Sequence, residues 1–597
     1  MTIQYAIRPA DLAGHLFHVT ITVREPHAQG QCFRLPAWIP GSYMIREFAR
    51  HVGRVTALAG SRRVRVEKLD KHTWRAAPVR GSLTLAYEVY AWDHSVRAAH
   101  LDARFGFFNG ACVFMAVCGR EAEPCQVKIL PPDGDGRARW RVATGLAPAP
   151  GTRYGRFGTY AAADYDELID CPVLLGDFAG AHFEAAGAAH EIALAGSVPK
   201  LDTARLAADL ARLCATQARL FEPRSRQAPF SRFVFLVHAA DDGYGGLEHR
   251  NSTALLCRRD SLPYPGMREA GEKYREFLGL ASHEYFHSWW VKRVRPAAFI
   301  PYDLTRENYT RLLWVFEGFT SYYDDLLLAR ARLLTEDQYL QALSRTITRV
   351  LHSPGRLKQS VADSSFDAWI KYYRPDENTP NAVVSYYQKG ALVALALDLT
   401  IRAATAGRRS LDDVLRHLWR EYQLAGAAYQ GVAEQALPEA IAQATGLDLT
   451  RHIRAWAEGT EDPDFARLFA PFGIALQRSP VLETPARAML GVQVRSHEGA
   501  CQLAHVFDGS PARQAGLSAG DQLVALDGLR VTPATLDTLL ARYAPGDQVE
   551  VAAFRRDDLL RFTVTLARQA PLRYELKPAA RASRAALRLR AGWLGTR

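Results

Sequence analysis

The chain has 597 residues, 48% hydrophobic and 23% charged, so it is a globular protein too long for one core, and we expect three or four domains. Its formal net charge is +11, but no basic stretch is interleaved with aromatic residues, so we expect no nucleic-acid partner. It has no apolar run of the roughly 20 residues that span a bilayer, no signal-peptide pattern and no Cys-x-x-Cys pair, which predicts a cytoplasmic protein without a disulfide framework.

Residues 1–178 alternate apolar and polar side chains in short runs that are separated by turn residues. The runs His18–Val23 and Leu83–Trp92 are examples, and a period of two is typical of strands with one buried face. We therefore predict an N-terminal β-rich domain. The pairs Asp93-His94 and His100-x-Asp102 resemble metal ligands, but no third ligand follows them, so we interpret them as structural.

Residues 179–478 form the next predicted domain, which combines a sheet with helices. Phe233–Val237 and Ser252–Cys257 read as strands, and the Gly245-Gly246 turn lies between them. Glu248 then lies on an edge strand, and an extended peptide can pair its backbone with such an edge.

The pentapeptide His283-Glu284-Tyr285-Phe286-His287 is the strongest motif of the chain. Residues four apart lie on one face of a helix, so both imidazoles can bind one metal ion. Glu284 can approach a water at that metal and act as its base. The motif predicts a catalytic site with one Zn²⁺ per chain.

The third metal ligand is predicted on the following helix, which we expect to begin near Thr305. Glu317 is a lone carboxylate in an apolar and aromatic run, and a buried carboxylate without a cation costs several kcal/mol. The alternatives are that Glu317 pairs with an arginine such as Arg311, or that Glu307 is the ligand. Asp324, two turns further on, falls near the same face and would orient a ligating histidine; the alternative is that it is simply exposed.

His283-Glu-x-x-His287 followed by Glu317-Gly-Phe-Thr resembles the glutamate-zincin metallopeptidases. These motifs, with Pro301-Tyr-Asp-Leu-Thr-Arg-Glu-Asn and the segment Trp38–Tyr43, are similar to those of the glycyl aminopeptidase family. That family carries a C-terminal PDZ domain. The resemblance implies an α+β multidomain fold. It would comprise an N-terminal β-rich domain, a thermolysin-like zinc-peptidase catalytic domain with a helical C-terminal part, and a PDZ domain.

Two further motifs resemble signatures of this clan. Gly245-Gly246-Leu247-Glu248-His249 is similar to Gly-x-Met-Glu-Asn, whose Glu binds the α-amine of the substrate, although here Leu replaces Met and His replaces Asn. The resemblance implies substrate binding by Gly245, Gly246 and Glu248. Tyr387-Gln-Lys-Gly is similar to Tyr-x-Lys-Gly, which implies that Tyr387 donates a hydrogen bond to the oxyanion. Adjacent Tyr386 is the competing choice.

The C-terminal region contains a compact β-rich module and a basic end. Residues 488–568, with Leu490-Gly491-Val492 and Asp527-Gly528, resemble a PDZ domain, which implies a C-terminal peptide as ligand; a module that only packs on the enzyme is the alternative. Residues 571–597 hold seven Lys or Arg and one Glu and are predicted to form a basic tail, solvated or loosely docked.

The pattern as a whole predicts a zinc-dependent aminopeptidase that acts on peptides with a free N-terminus. The resemblance implies a preference for small N-terminal residues such as Gly and Ala. Two alternatives remain: a non-peptidase hydrolase on the same zinc scaffold, and a PDZ-based peptide-binding protein with a structural metal. A complete ligand set together with Glu284 argues against the last, because a structural zinc site normally has four protein ligands.

Overall fold

The computed structural model describes residues 2–133, 139–480, 488–568 and 572–596. Among these residues, no helix combines the length and the apolar character needed to cross a membrane. The chain forms two compact units. The first contains Met1–Tyr309, Tyr323–Leu334 and Asp412–Ala440, and the second contains Thr310–Tyr322, Thr335–Leu411 and Ile441–Arg597.

The regular structure in the described residues of the N-terminal region of the first unit is mostly β-strand. It also has one 3-10 turn, Phe48–His51, and two short α-helices, α1 (Gly110–Val113) and α2 (Tyr165–Ile169). Its strands are β1 (Ile3–Asp11), β2 (Leu16–Val23), β3 (Gln31–Arg34), β4 (Val52–Ala59), β5 (Arg62–Val64), β6 (Val66–Lys68), β7 (Thr73–Ala76), β8 (Leu83–Tyr90), β9 (Ala99–Leu101), β10 (Phe105–Phe108), β11 (Ala116–Val117), β12 (Cys125–Ile129), β13 (Arg141–Thr144), β14 (Ala147–Pro148), β15 (Gly158–Ala162) and β16 (Val173–Gly176).

These strands build one large sheet and two smaller ones around a common core. The large sheet has the order β14-β15-β12-β1-β2-β8-β4-β5, and the two four-stranded sheets are β13-β16-β10-β9 and β11-β3-β7-β6. Every second residue of β2 and β8 is buried, as expected for strands with one face on the core. The predicted β-rich N-terminal domain is therefore confirmed.

The part of the first unit that follows the N-terminal region begins with a five-stranded sheet. Its strands are β17 (Ala179–Ala185), β18 (Ala188–Ala195), β19 (Arg232–Ala240), β20 (Gly245–Glu248) and β21 (Ser252–Arg258). The order is β17-β18-β19-β21-β20, with β20 antiparallel to β21. As predicted, the strand that carries Glu248 therefore lies at an edge. The accompanying helices are α3 (Thr203–Phe221) and α4 (Glu272–Phe286).

A series of helices follows in chain order. They are α5 (Leu313–Arg330), α6 (Glu336–His352), α7 (Val361–Phe366), α8 (Thr379–Ala382), α9 (Gln388–Ala404), α10 (Leu411–Ala425), α11 (Leu437–Thr445), α12 (Thr450–Ile453) and α13 (Phe465–Phe469). Helix α5 begins at Leu313 and not near Thr305, so that expectation was wrong. Asp303 explains the difference, because its carboxylate accepts a hydrogen bond from the Thr305 amide and its carbonyl accepts one from Asn308, which fixes a non-helical turn.

The C-terminal part of the second unit contains a small β module. Its elements and those that flank it are β22 (Ile474–Pro480), β23 (Ala488–Met489), β24 (Val492–His497), β25 (Ala500–Val506), α14 (Pro511–Gln514), β26 (Gln522–Leu526), β27 (Leu529–Arg530), α15 (Leu536–Leu540), β28 (Gln548–Arg555), β29 (Asp558–Thr565), β30 (Ala567–Arg568), β31 (Leu572–Pro578) and α16 (Arg584–Leu594). The main sheet has the order β24-β25-β26-β28-β29.

The basic C-terminal segment is more ordered than its composition predicts. Strand β31 pairs antiparallel with β22, and helix α16 buries Trp593 completely. The indole of Trp593 donates a hydrogen bond to the Tyr322 hydroxyl at 2.8 Å, and Tyr322 donates to Asp398 at 2.6 Å. A loosely docked tail was therefore the wrong expectation for these residues. Pro571 and Arg597, the ends of the predicted tail, lie outside the described residues.

Candidate active site

Helix α4 carries the histidine motif at its C-terminal end. His283 and Glu284 lie in the last turn, and His287 is the C-cap residue, still with helical backbone angles. The two imidazole centroids are 4.8 Å apart and the rings are inclined at 81°. Glu284 and His287 are buried, with 5% and 1% exposure. The spacing of four thus brings both rings to one side of the helix end, as predicted.

Each histidine is oriented through its Nδ1 atom. His283 Nδ1 lies 3.2 Å from a carboxylate oxygen of Asp324, and His287 Nδ1 lies 2.9 Å from the carbonyl oxygen of Trp290. Burial raises the pKa of Asp324, and its hydrogen bond with His283 opposes that shift. An imidazole that is held through Nδ1 presents Nε2 to a metal ion. The predicted orienting role of Asp324 therefore agrees with its position.

Two overlapping groups of side chains in the described part of the chain have donor atoms within 4.8 Å of one another. The first is His283, His287 and Glu317, and the second is Glu248, Glu284 and His287. Two imidazole nitrogens and one carboxylate oxygen form the donor set of many catalytic zinc sites. The residues of the first group therefore fit a zinc ion.

Helix geometry and burial explain the place of Glu317. It lies two turns before Asp324 on the continuous helix α5, so both side chains project from the same face. Glu317 is only 2% exposed. Arg311, the arginine considered as its alternative partner, forms an ion pair with Asp363. Glu307, the alternative ligand, lies in the loop before α5 and is absent from both groups of donor atoms among the described residues.

Two motif glycines let helices α5 and α9 approach closely. A Cβ atom on Gly318 would lie 2.7 Å from the Cα atom of Gly390, and one on Gly390 would lie 3.1 Å from the Cα atom of Gly318. Both distances are shorter than an ordinary carbon–carbon contact of about 3.5 Å. The glycines after Glu317 and Lys389 are thus required because the two helix backbones touch there.

The two tyrosines that precede α9 differ in exposure. Tyr386 is completely buried, and its pKa is raised well above the ordinary value by burial, with smaller contributions from Tyr373 and Glu317. Tyr387 is partly exposed, and its hydroxyl lies 3.1 Å from that of Tyr373. A partly exposed tyrosine can meet a substrate without a rearrangement of the core.

Lys389, two residues after Tyr387, is held inside the protein by polar contacts. Its buried ammonium group donates to the carbonyl oxygens of Thr460 at 3.1 Å and Arg356 at 3.3 Å, and it lies 3.4 Å from Asp462. Burial lowers the pKa of Lys389. Lys389 therefore holds the start of α9 to the chain around residue 460.

Glu248 ends strand β20 and is 4% exposed. Its Oε1 atom is buried and has no hydrogen-bond partner among the described residues. The backbone of Gly246, two residues earlier, packs directly on the Glu284 carboxylate and leaves no room for a side chain. Gly245 and Gly246 pair with Leu256 and Leu255 across β21, so their edge of the sheet borders the histidine motif.

A buried ionic network behind Glu248 was not predicted from the sequence. The Asp170 carboxylate lies 2.6 Å from the Lys292 ammonium and 3.2 Å from His249 Nδ1, and it accepts a hydrogen bond from the Arg250 amide at 3.0 Å. Burial alone would raise the pKa of Asp170, but Lys292, His249 and Arg250 hold it well below its ordinary value. The contact with Asp170 also accounts for the histidine that stands where the related motif has Asn.

Lys292 could have been found by the reasoning that singled out Glu317. Together with Arg293 it follows the apolar residues Trp289, Trp290 and Val291, and a charge beside such a run requires a partner when it is buried. Burial lowers the pKa of Lys292, but Asp170, Tyr302 and Glu248 raise it to a net value above the ordinary one. No local signal identifies Asp170, which is distant in the sequence.

Comparisons with known proteins show which families the chain is similar to. Residues 4–177 match the peptidase M61 N-terminal domain, residues 276–393 match the M61 glycyl aminopeptidase, and residues 488–566 match the PDZ domain. The crystal structure of an aminopeptidase N family protein from Idiomarina loihiensis is similar at 39% identity and a TM-score of 0.93, covering 99% of this chain and 100% of that one.

A more distant likeness is that to an M1 zinc metallopeptidase from Deinococcus radiodurans. It has 14% identity and a TM-score of 0.49, and covers 78% of this chain and 94% of that chain. No curated protein sequence matches the chain significantly.

Proposed function

Because this chain belongs to the M61 glycyl aminopeptidase family of metallopeptidases, we propose that it is a zinc-dependent aminopeptidase. It would remove N-terminal residues, glycine and alanine above others, from peptides with a free N-terminus. The observation that carries this proposal is the group formed by Glu248, Glu284 and His287. In this group a second carboxylate, suited to bind an amine, lies close to Glu284, the proposed base, and to His287, a proposed metal ligand.

His283, His287 and Glu317 would hold one Zn²⁺ ion per chain. When bound, the ion supplies Lewis acidity, which polarises the scissile carbonyl and makes water more acidic. The burial of His287 and Glu317 and the orientation of His283 by Asp324 support this assignment, since the partners of ligating histidines affect metal affinity strongly.

Glu284 and Tyr387 would perform the proton transfer and the charge stabilisation. Glu284 takes a proton from the attacking water and later returns it to the leaving amine. The Tyr387 hydroxyl donates a hydrogen bond to the developing oxyanion, a type of contact worth about 3–4 kcal/mol in other hydrolases. Its partial exposure supports Tyr387 over the buried Tyr386.

Glu248 would bind the α-ammonium group of the substrate. A buried carboxylate oxygen without a donor among the described residues gains a charge-assisted hydrogen bond when the ammonium enters. The Glu248 carboxylate lies within 4.8 Å of donor atoms of Glu284 and His287, which supports removal of a single N-terminal residue. Gly245 and Gly246 offer their strand edge to the peptide backbone.

The PDZ domain would bind the C-terminus of a peptide or protein. Strand β24 lies at the edge of its sheet, and Leu490-Gly491 immediately precedes that strand, where backbone N–H groups can receive a carboxylate. Fluorescence titration of the full chain with a labelled peptide that has either a free or an amidated C-terminus tests this role. Equal affinity for the two forms would contradict it.

The first experiment on the enzyme uses one short peptide with an N-terminal glycine, either free or acetylated. Each form is incubated with the zinc-loaded protein and analysed by mass spectrometry. We expect loss of glycine from the free form only. Internal cleavage of both forms would identify an endopeptidase, and stability of both forms would reject peptidase activity on such substrates.

A further inference from the structure

The N-terminal domain touches the amine-binding carboxylate through Gly41. A Cβ atom placed on Gly41 would lie 2.5 and 2.6 Å from the two carboxylate oxygens of Glu248 and 2.7 Å from Cδ1 of Leu247. Ordinary contacts of such an atom begin at about 3.5 Å. Gly41 also has a φ of +95°, which L-residues with a side chain rarely adopt. Both space and backbone conformation therefore require glycine here.

The loop that carries Gly41, Trp38–Tyr43, is held firmly. The buried indole of Trp38 donates to the carbonyl oxygen of Asp303 at 2.8 Å, and the ring of Tyr43 stacks on Phe299 with centroids 5.8 Å apart. Both anchors belong to the segment that follows the histidine motif in the chain. The loop is thus fixed to the same part of the fold as the catalytic helix, and a side chain at position 41 would displace Glu248 and not the loop.

Lys292 is a cationic neighbour of Glu248. Its amide donates to the carbonyl oxygen of His287 at 3.2 Å, and its ammonium group is bound to Asp170. Oε1 of Glu248 has no hydrogen-bond partner among the described residues. Contact with Gly41 and the charges of Lys292 and Glu284, and not a full set of hydrogen bonds, therefore determine where this carboxylate lies.

We propose that Gly41 is a positioning residue for amine recognition, because its bare backbone determines the place of the Glu248 carboxylate and so restricts the pocket to an unblocked primary amine. The inference rests on the proposed aminopeptidase function and adds a residue of the N-terminal domain to its specificity. An acyl group on the substrate nitrogen removes the positive charge and adds bulk beside a carboxylate that Gly41 already closes on one side. A shift of about 0.5 Å in the position of a binding side chain is enough to impair ligand binding.

The test compares Gly41→Ala with Gly151→Ala. Gly151 has a φ of +90°, and a Cβ atom placed on it would have no other atom within 4 Å, so its variant reports the backbone strain alone. We expect Gly41→Ala to lower kcat/KM for a free glycyl peptide by roughly 10- to 100-fold, as for the loss of a charge-assisted hydrogen bond. The dissociation constant of glycinamide, measured calorimetrically, should rise by a similar factor. The zinc content should not change, and Gly151→Ala should retain wild-type values.

A second variant distinguishes positioning from general damage. Glu248→Asp shortens the side chain by one methylene group and withdraws the carboxylate by about 1.5 Å, which makes room for a Cβ at position 41. In the wild-type background this change should weaken glycinamide binding. In the Gly41→Ala background it should restore part of the lost affinity, so that the two effects are not additive. Additive losses would overturn the proposal.

The outcomes separate this inference from the function on which it rests. If the wild-type enzyme cleaves free and acetylated glycyl peptides equally, both the aminopeptidase function and the role of Gly41 fail. If the wild type requires the free amine and Gly41→Ala keeps the same preference and the same affinity for glycinamide, only the role of Gly41 fails.

Discussion

At the scale of single residues, the surroundings of Glu284 suit a general base. The carboxylate is 5% exposed and lies in the last turn of α4, between the two histidines in the sequence. The backbone of Gly246 packs on one side of it, so the side chain has little freedom to turn away. A base that is fixed in this way loses little conformational entropy when the reaction proceeds.

Glu284→Gln should retain the metal and lose turnover. The amide has almost the same shape but accepts no proton, so we expect kcat to fall by about 10²- to 10⁴-fold, the usual contribution of a general base. Steady-state kinetics on a glycyl peptide and metal analysis by atomic absorption check the two parts. A kcat near that of the wild type would exclude Glu284 as the base.

Glu317→Ala should lose zinc, whereas Glu307→Ala should retain it. Removal of one of three protein ligands weakens the binding of a catalytic zinc strongly, and Glu307 lies in the loop before α5. Metal content after dialysis against a weak chelator compares the two variants. Full occupancy in Glu317→Ala together with loss in Glu307→Ala would reverse the assignment.

At the scale of elements, the C-terminal helix α16 contributes to the core of the second unit. Trp593 is fully buried and donates a hydrogen bond to Tyr322 of helix α5. Tyr322 in turn donates to Asp398 of α9, which also pairs with Arg402. The last helix of the chain is thereby connected to the two helices that carry Glu317 and the tyrosine motif.

Trp593→Ala should destabilise the second unit. The loss of a buried tryptophan typically lowers the free energy of unfolding by about 3–5 kcal/mol. In domains of this size each kcal/mol lowers the melting temperature by about 2–4 °C, so we expect a fall of several degrees or more. Leu587→Ala is the matched control, because Leu587 lies on the same helix and is 44% exposed. Equal shifts in the two variants, measured by differential scanning calorimetry, would contradict the packing role of Trp593.

At the scale of the whole molecule, buried and half-buried histidines determine how folding stability responds to mild acid. Burial lowers the pKa of His100, His190 and His238 to about 4, against about 6.5 in an unfolded chain. Between these values the unfolded chain binds more protons than the folded one, so folding stability decreases as the pH falls. Above pH 6.5 the stabilisation is fully present.

The urea midpoint of unfolding should therefore be nearly constant at neutral pH and decrease from about pH 6.5 towards pH 4. His190→Gln should reduce the steepness of that decrease, because one of the shifted groups is removed. The depressed pKa of Asp170 adds a further loss only below the ordinary aspartate value of about 3.9. An unchanged slope in His190→Gln would show that this residue does not carry the effect.

Much of the architecture followed from local patterns. Alternation over His18–Val23 and Leu83–Trp92 predicted strands that the fold contains as β2 and β8, because burial on one face of a sheet repeats every two residues. The spacing of His283 and His287 predicted rings on one side of a helix end for a similar reason. The helix start near Thr305 was wrong, because a side-chain turn at Asp303 competes with the helix.

The sequence by itself determined the features that depend on residues close together in the chain. These are the paired histidines, the proposed base between them, the strand with Glu248 and the motifs that carry the family resemblance. Only the tertiary structure decided the partners distant in sequence. Gly41 reaches Glu248, Asp170 reaches Lys292 and Trp593 reaches Tyr322. The physical reason is that periodicity reports which face of an element is buried, whereas long-range packing determines which residue it is buried against.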